Sequence, residues 1–253
     1  MLATRVMPCL LMHRGALVKT VQFRNPVYVG DPVNTVRIFN QKEVDELILI
    51  DISATVEGYG IDFETLEKVV KECFMPICYG GGVNNLADMH RLYNLGIEKV
   101  SLSSAALSSP TLVSEAASRF GSQAIVVTLD VRKNFFGKHV VRTHQGKIDT
   151  RFSPVDAARA MEQAGAGEIF LYSIDRDGTW SGFDLAVVRD VSHAVGIPVV
   201  ACGGGGEMAH LQAAVKDAGA SAVAIGSMAV FQAKDLGVLI KFPTRQQQEK
   251  AFE

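Results

Sequence analysis

Cysteine is scarce in this chain: four in 253 residues, Cys9, Cys73, Cys78 and Cys202, with no CxxC pair and no Cys/His cluster. That spacing excludes a disulfide framework and a cysteine-ligated zinc site. It leaves reduced thiols, three of them inside apolar runs where cysteine acts as a small hydrophobe. No metal and no cofactor is expected. Long basic runs are also lacking, since no Lys/Arg run exceeds two residues and the formal net charge is −2. The electrostatic basis for binding nucleic acid or an anionic membrane surface is therefore missing, and the expected partners are small molecules or proteins. No apolar stretch approaches the roughly 18–20 residues that span a bilayer, and no basic-then-apolar leader opens the sequence, so the expected location is cytoplasmic. No Pro/Ser-rich linker divides the chain, and a single domain over 1–253 is expected.

What is present is alternation. With 48% apolar residues, short β-branched runs at 6–11, 47–52, 75–79, 99–103, 124–130, 168–174, 197–202 and 222–226 exchange with amphipathic stretches of 10–14 residues. That pattern predicts repeated βα units, and eight of them predict a (β/α)8 (TIM) barrel. Asp62, Asn84 or Asn85, Ser108 or Ser109, and Asp184 stand where helix N-caps belong, and glycine follows three of the four helical stretches. The polar segment 131–152 predicts a hairpin-like loop, and the tail 236–253 a polar, helical end.

The chain also repeats itself. "CYGGGVNNLADMHRLYNLGIEKVSLSSAA" (78–106) aligns without a gap on "ACGGGGEMAHLQAAVKDAGASAVAIGSMA" (201–229) at an offset of 123, while Glu46, Gly60 and Asp62 fall on Glu168, Gly182 and Asp184 at an offset of 122. Two similar half-barrels, about 1–122 and 123–235, account for this. Each carries a triple glycine at a strand end, where backbone N–H groups can approach an anion, and a small residue one strand later that completes a cradle. The candidates are Gly81, Gly82 and Ser104 in one half and Gly204, Gly205, Gly226 and Ser227 in the other. Two cradles predict a ligand with a phosphate at each end.

"MLATR", "VVKECFMPICYGGGV", "FGSQAIVVTLDVR", "GAGEIFLYSIDRDGTWSGFD" and "DAGASAVAIGSMAVF" together resemble the cyclase subunit of imidazole glycerol phosphate synthase, from residue 1 to about 232. The resemblance implies a barrel that condenses ammonia with a bisphosphorylated ribulosyl-aminoimidazole carboxamide nucleotide. It also implies a heterodimer with a HisH-type glutaminase that docks on the opposite end and supplies the ammonia. The family uses two aspartates, at the ends of its first and fifth strands, as acid and base. Asp130 matches the second; the first is Leu11, which transfers no proton. Lys19, Asp51, Asp177 and Gly178 match substrate-binding positions. Ser103, Gln145, Asp149 and Tyr172 stand where the family has asparagine, serine, asparagine and threonine. His13 and Arg14, just past Leu11, are expected to point elsewhere.

Arg5, Glu46, Lys99 and Glu168 precede the first, second, fourth and sixth strands, and two cations with two anions can close a neutral ring. The resemblance makes them the gate for ammonia. Beyond it, mainly Val, Ile, Leu, Ser and Ala are expected to line a passage. The reading is a synthase subunit of a glutamine amidotransferase complex, diverged from imidazole glycerol phosphate formation. By resemblance it serves surface-polysaccharide biosynthesis with a sugar amidotransferase. The alternatives are a working cyclase of histidine biosynthesis and a non-catalytic phosphate-binding scaffold or glutaminase activator.

Overall fold

The computed structural model describes residues 4–42 and 44–253. The start of the "MLATR" motif lies outside the described residues. Eight parallel strands close on one another: β1 (Arg5–His13), β4 (Leu47–Asp51), β5 (Ile77–Gly80), β6 (Lys99–Leu102), β7 (Ile125–Lys133), β10 (Glu168–Ser173), β11 (Val199–Cys202) and β12 (Ala222–Ile225), which returns to β1. Helices α3 (Phe63–Glu72), α4 (Leu86–Leu95), α6 (Pro110–Phe120), α7 (Pro154–Gln163), α8 (Leu185–Ser192) and α9 (Met208–Lys216) lie between them. This is the (β/α)8 barrel expected from the alternation.

Period-two alternation assigns every strand residue to one of two cores. From β1, Met7, Cys9 and Leu11 point into the barrel with Ile48, Cys78, Val126, Phe170, Tyr172, Val200 and Cys202. Val6, Leu10 and Met12 point outward, where Leu47, Leu49, Val127 and Leu171 meet the helices. The interior is thus bulkier than the expected Val, Ile, Leu, Ser and Ala lining. Three cysteines, a methionine and two aromatics fill it, because the same parity that aims Glu168 inward also aims Phe170 and Tyr172 inward.

Asp62 and Asn85 cap α3 and α4 by accepting from the N–H of Thr65 and Asp88 at 3.0 and 2.9 Å. Ser109 takes the N-cap position of α6. The last of these stretches stops short of its glycine: α8 ends at Ser192, with Gly196 in the connection to β11. The polar segment after β7 forms the expected hairpin with β8 (His139–Thr143) and β9 (Ile148–Asp149). A second hairpin, β2 (Ala16–Val21) with β3 (Arg24–Gly30), precedes α1 (Pro32–Asn40), and neither element was anticipated. Short helices α2 (Ala54–Glu57), α5 (Ser104–Ser108) and α10 (Ser227–Val230) follow β4, β6 and β12, and the tail ends in α11 (Arg245–Phe252).

The ungapped repeat needs correction. β5 and α4 match β11 and α9 at an offset of 122; only β6 and α5 match β12 and α10 at 123. The extra residue belongs to the connection between α9 and β12. The glycine contacts agree: a Cβ on Gly81 would meet the Asp51 carbonyl oxygen at 2.3 Å and one on Gly203 the Ser173 carbonyl oxygen at 2.5 Å. Gly82 and Gly204 abut Gly60 and Gly182 in the same way. The true counterparts are Gly81 with Gly203 and Gly82 with Gly204, all four at positive φ, between +74° and +114°. One offset of 122 then also covers Glu46 with Glu168.

Candidate functional site

At the N-terminal end of the barrel, inward parity brings Arg5, Glu46, Lys99 and Glu168 together. Arg5 donates to Glu46 Oε2 at 2.7 Å and also to Glu168, while Lys99 Nζ lies 2.8 Å from Glu46 and 3.1 Å from Glu168. Each carboxylate is held by two cations and each cation by two carboxylates, so the ring is closed and neutral. Burial alone would lower the pKa of Arg5 and Lys99, but facing Glu168 and Glu46 outweighs it and both are raised. The glutamates are buried, and removing one partner would leave a charge uncompensated.

At the opposite mouth a cavity of about 420 Å³ is lined by residues from the first half, among them Leu11, Asp51, Gly81, Gly82, Ser103 and Ser104, and also by Asp130, Gln145, Phe170 and Tyr172. Asp51 is fully committed to organising its loop. Its Oδ1 accepts from the Ser53 N–H and hydroxyl and the Ala54 N–H at 2.8–3.0 Å, and the Tyr59 hydroxyl reaches both oxygens. The Gly82 N–H already donates to Thr55 Oγ1 at 3.1 Å. Ser103 Oγ is buried at this wall without a hydrogen-bond partner among the described residues. Gln145 crosses from the β8–β9 turn to donate to the Ile52 carbonyl.

The second cradle opens onto a different space. Asp177, Gly178, Gly204, Gly205, Gly226 and Ser227 line a crevice of about 10 Å³, and Tyr172 borders both it and the larger cavity. Lys19, only 4% exposed, donates to the Cys9 carbonyl, and its Nζ lies 2.9 Å from the place of a Cβ on Gly226. Asp177 accepts from the Tyr172 hydroxyl at 2.8 Å, from Thr20 at 2.6 Å and from the Phe23 N–H at 3.1 Å, which seats the β2–β3 hairpin over the mouth.

Asp130 stands at the cavity wall beside Tyr172, its register partner on β10. Its carboxyl makes no hydrogen bond among the described residues, and burial, with a smaller contribution from Asp177, pushes its pKa up to about 7. Such a group can take or release a proton near neutrality. The strand-1 position where the resemblance implies a second aspartate is occupied by Leu11, 2% exposed and packed into the interior core. His13 and Arg14 pair with Glu57 at 3.3 and 2.8 Å and do not line the cavity; strand parity would aim His13 to the same side as Leu11, but it ends β1 beyond the closed barrel, where Glu57 holds it. Asp149 departs from expectation: it lies outside the cavity, paired with Arg142 at 3.3 Å, because the β8–β9 turn aims it along the hairpin.

Sequence reasoning missed Ser53, Tyr59, Thr20 and Phe23, which hold Asp51 and Asp177. The last two lie on the overlooked hairpin, where alternation in "ALVKTV" was the available signal. No group of His, Cys, Asp and Glu able to hold a metal ion occurs among the described residues. No helix among them is long and apolar enough to cross a membrane.

A family model described as histidine biosynthesis protein matches residues 5–234. A protein of Pseudomonas aeruginosa, provisionally named imidazole glycerol phosphate synthase subunit hisF2, is 49% identical over 243 residues, covering 96% of this chain and 97% of its own. A Leptospira interrogans protein provisionally named as the HisF subunit is 40% identical over the full length of both chains. A Vibrio vulnificus protein provisionally named subunit hisF3 is 41% identical over 254 residues, 100% of this chain and 98% of its own.

Proposed function

The chain belongs to the histidine biosynthesis protein family, among diverged relatives of the imidazole glycerol phosphate synthase cyclase subunit, and from that premise we propose that it receives ammonia from a glutaminase and passes it on without closing an imidazole ring. The observation that carries this reading is the contrast between the two ends of the barrel. The base keeps a complete charge ring, Arg5, Glu46, Lys99 and Glu168, while the mouth keeps Asp130 and has Leu11 where a second acid is required. A leucine neither holds charge nor moves a proton, so acid and base cannot both be supplied.

In this role the partner is a HisH-type glutaminase docked at the ring, and the apolar interior favours neutral ammonia over hydrated ammonium. Asp130, whose carboxyl is raised by burial to a pKa of about 7, is the acid–base group left at the mouth that ammonia reaches. The acceptor is a sugar amidotransferase of surface-polysaccharide synthesis; support for it comes from resemblance to divergent members of the family.

The test is co-expression with the glutaminase. Glutamine hydrolysis should rise on complex formation and require Lys99, and the complex should fail to complement a histidine auxotroph lacking its cyclase. Complementation by the wild-type chain would overturn the proposal in favour of ordinary histidine biosynthesis. Binding a phosphate compound without touching a glutaminase would leave only a scaffold.

A further inference from the structure

The strand that brings Asp130 to the mouth runs on past it and turns at residues 134–138 before returning as β8. On that turn stand Phe135, 98% exposed, and Phe136, 83% exposed. Their rings meet each other edge-on at 5.6 Å and belong to neither apolar core. The turn beneath them is ordered: Asn134 Oδ1 accepts from the N–H groups of Phe136 and Lys138 at 2.9 and 3.1 Å, and the Asn134 N–H donates to the Lys138 carbonyl at 2.8 Å. At its base the Lys133 N–H donates to Asp175 at 2.8 Å and His139 meets Asp184 at 2.9 Å, which fixes the hairpin to the barrel loops. Two solvated rings on a pre-ordered turn add nothing to the core and lose little entropy on binding.

The same segment is strongly basic. Residues 132–151 hold six Lys/Arg and one Asp in a chain whose net charge is −2. Arg132, Lys133 and Arg142 face Asp175, Asp184 and Asp149 at 3.4, 3.8 and 3.3 Å. Lys138, Lys147 and Arg151 are exposed and have no carboxylate partner among the described residues. The turn at the far end of β8 carries His144 and Gln145 into the wall of the mouth cavity, and exposed Lys147 and Ile148 follow directly. A body seated on the tip and on this turn therefore lies over the opening. Aromatic rings framed by unpaired cations match an apolar socket rimmed by carboxylates. For a bilayer, two rings at a single tip are a weak anchor.

We propose that the Phe135–Phe136 tip, with Lys138 and Lys147, docks the enzyme that consumes the ammonia, through an apolar, carboxylate-rimmed socket on that enzyme. This rests on the reading given above for the existence of such an enzyme, and adds where it sits. The tip lies at the end of the barrel opposite the ring of Arg5, Glu46, Lys99 and Glu168, so donor and acceptor are held at once and nitrogen passes between them without entering bulk water. It is separable from that reading, because glutaminase activation is measured at the other end without the acceptor.

The experiment is biolayer interferometry of the complex of this chain with its glutaminase against the purified sugar amidotransferase of surface-polysaccharide synthesis from the same organism. Amide formed per glutamine hydrolysed is the second readout. Phe135→Ser with Phe136→Ser should weaken binding at least about tenfold, and Lys138→Glu with Lys147→Glu about tenfold. Wild-type affinity should fall as salt is raised. Both double variants, changed only at exposed positions, should keep the wild-type urea midpoint and activate the glutaminase fully, while amide per glutamine drops because ammonia escapes. Wild-type affinity in both double variants would overturn the proposal. So would a wild-type complex that activates the glutaminase yet leaves the amidotransferase unbound, a dimer in sedimentation velocity that needs the two phenylalanines, or tighter binding to phosphatidylglycerol vesicles than to the amidotransferase. Absence of glutaminase activation would instead sink the earlier reading, and the affinities alone would then decide the role of the tip.

Discussion

Asp130 and Gly81 show what individual residues contribute. The folded pKa of Asp130, about 7, lies above its ordinary 3.8, so its protonated form is the one the fold accommodates. The stability it confers is complete below pH 3.8 and is lost as pH rises to about 7. Asp130→Asn should therefore be more stable than wild type at pH 8 by about 1–2 kcal/mol, allowing for solvent in the cavity, with the difference vanishing near pH 4 in urea titrations. Gly81 has no room for a side chain: φ is +114° and a Cβ would sit 2.3 Å from the Asp51 carbonyl oxygen. Gly81→Ala should cost about 2–4 kcal/mol, read as a lower urea midpoint. Leu11→Asp by itself should yield no measurable cyclase turnover, because Tyr172 still stands between the cavity and the crevice; Leu11→Asp with Tyr172→Thr is the pair to assay. Leu11, Asp130 and the four ring residues were singled out in the sequence by resemblance, and strand parity then decides which way they face. What Tyr172 does was not legible: the sequence marks it only as standing where the related cyclases have threonine, and its hydroxyl bond to Asp177 depends on loop conformation.

Elements were legible where their signal is local. Caps such as Asp62 and Asn85 are chemical statements about the next three residues, and they were found. Asn85→Ala should lower stability by about 1 kcal/mol, measured by urea denaturation, because the Asp88 N–H loses its acceptor. The β2–β3 hairpin was missed because most of β3 is exposed and carries Pro26, so its apolar pattern is weak. The α1 helix was missed although Asp31 caps it with Pro32 at its start. The repeat was legible as a repeat, yet its register slipped by one residue. Sequence alignment follows the runs of identical glycines, whereas the fold aligns the backbone positions that abut β4 and β10. The hairpin formed by β7 and β8 docks through His139 on Asp184 at 2.9 Å, and that hydrogen bond first, then the charges of His139 and Lys133, holds the carboxyl below its usual range. Its contribution is present above the ordinary carboxylate pKa and disappears as pH falls through the lowered one.

At the scale of the whole molecule, eight inward-facing registers meet only when the barrel closes, and the charge ring is the clearest product of that closure. Glu168→Gln leaves Arg5 and Lys99 sharing one carboxylate, and should cost about 1–3 kcal/mol in urea denaturation; Lys99→Met with Glu168→Met should cost less than the two single changes summed. That the four charges converge was legible from their common place at the starts of the first, second, fourth and sixth barrel strands. How much of the interior Phe170 and Tyr172 occupy was not, since side-chain volume counts only once opposite strands are brought face to face.

The alternating signs at the base also cancel at a distance. Outside the barrel the field of the four charges is that of a quadrupole and fades within a few ångströms, so dissolved ammonium is neither attracted nor enriched there. Amidation by the acceptor enzyme, fed through the barrel from ammonium salts, should climb with pH as the uncharged fraction grows and stay flat as ionic strength is varied. Nitrogen released by a docked donor never enters the bath and should escape the first of these dependences.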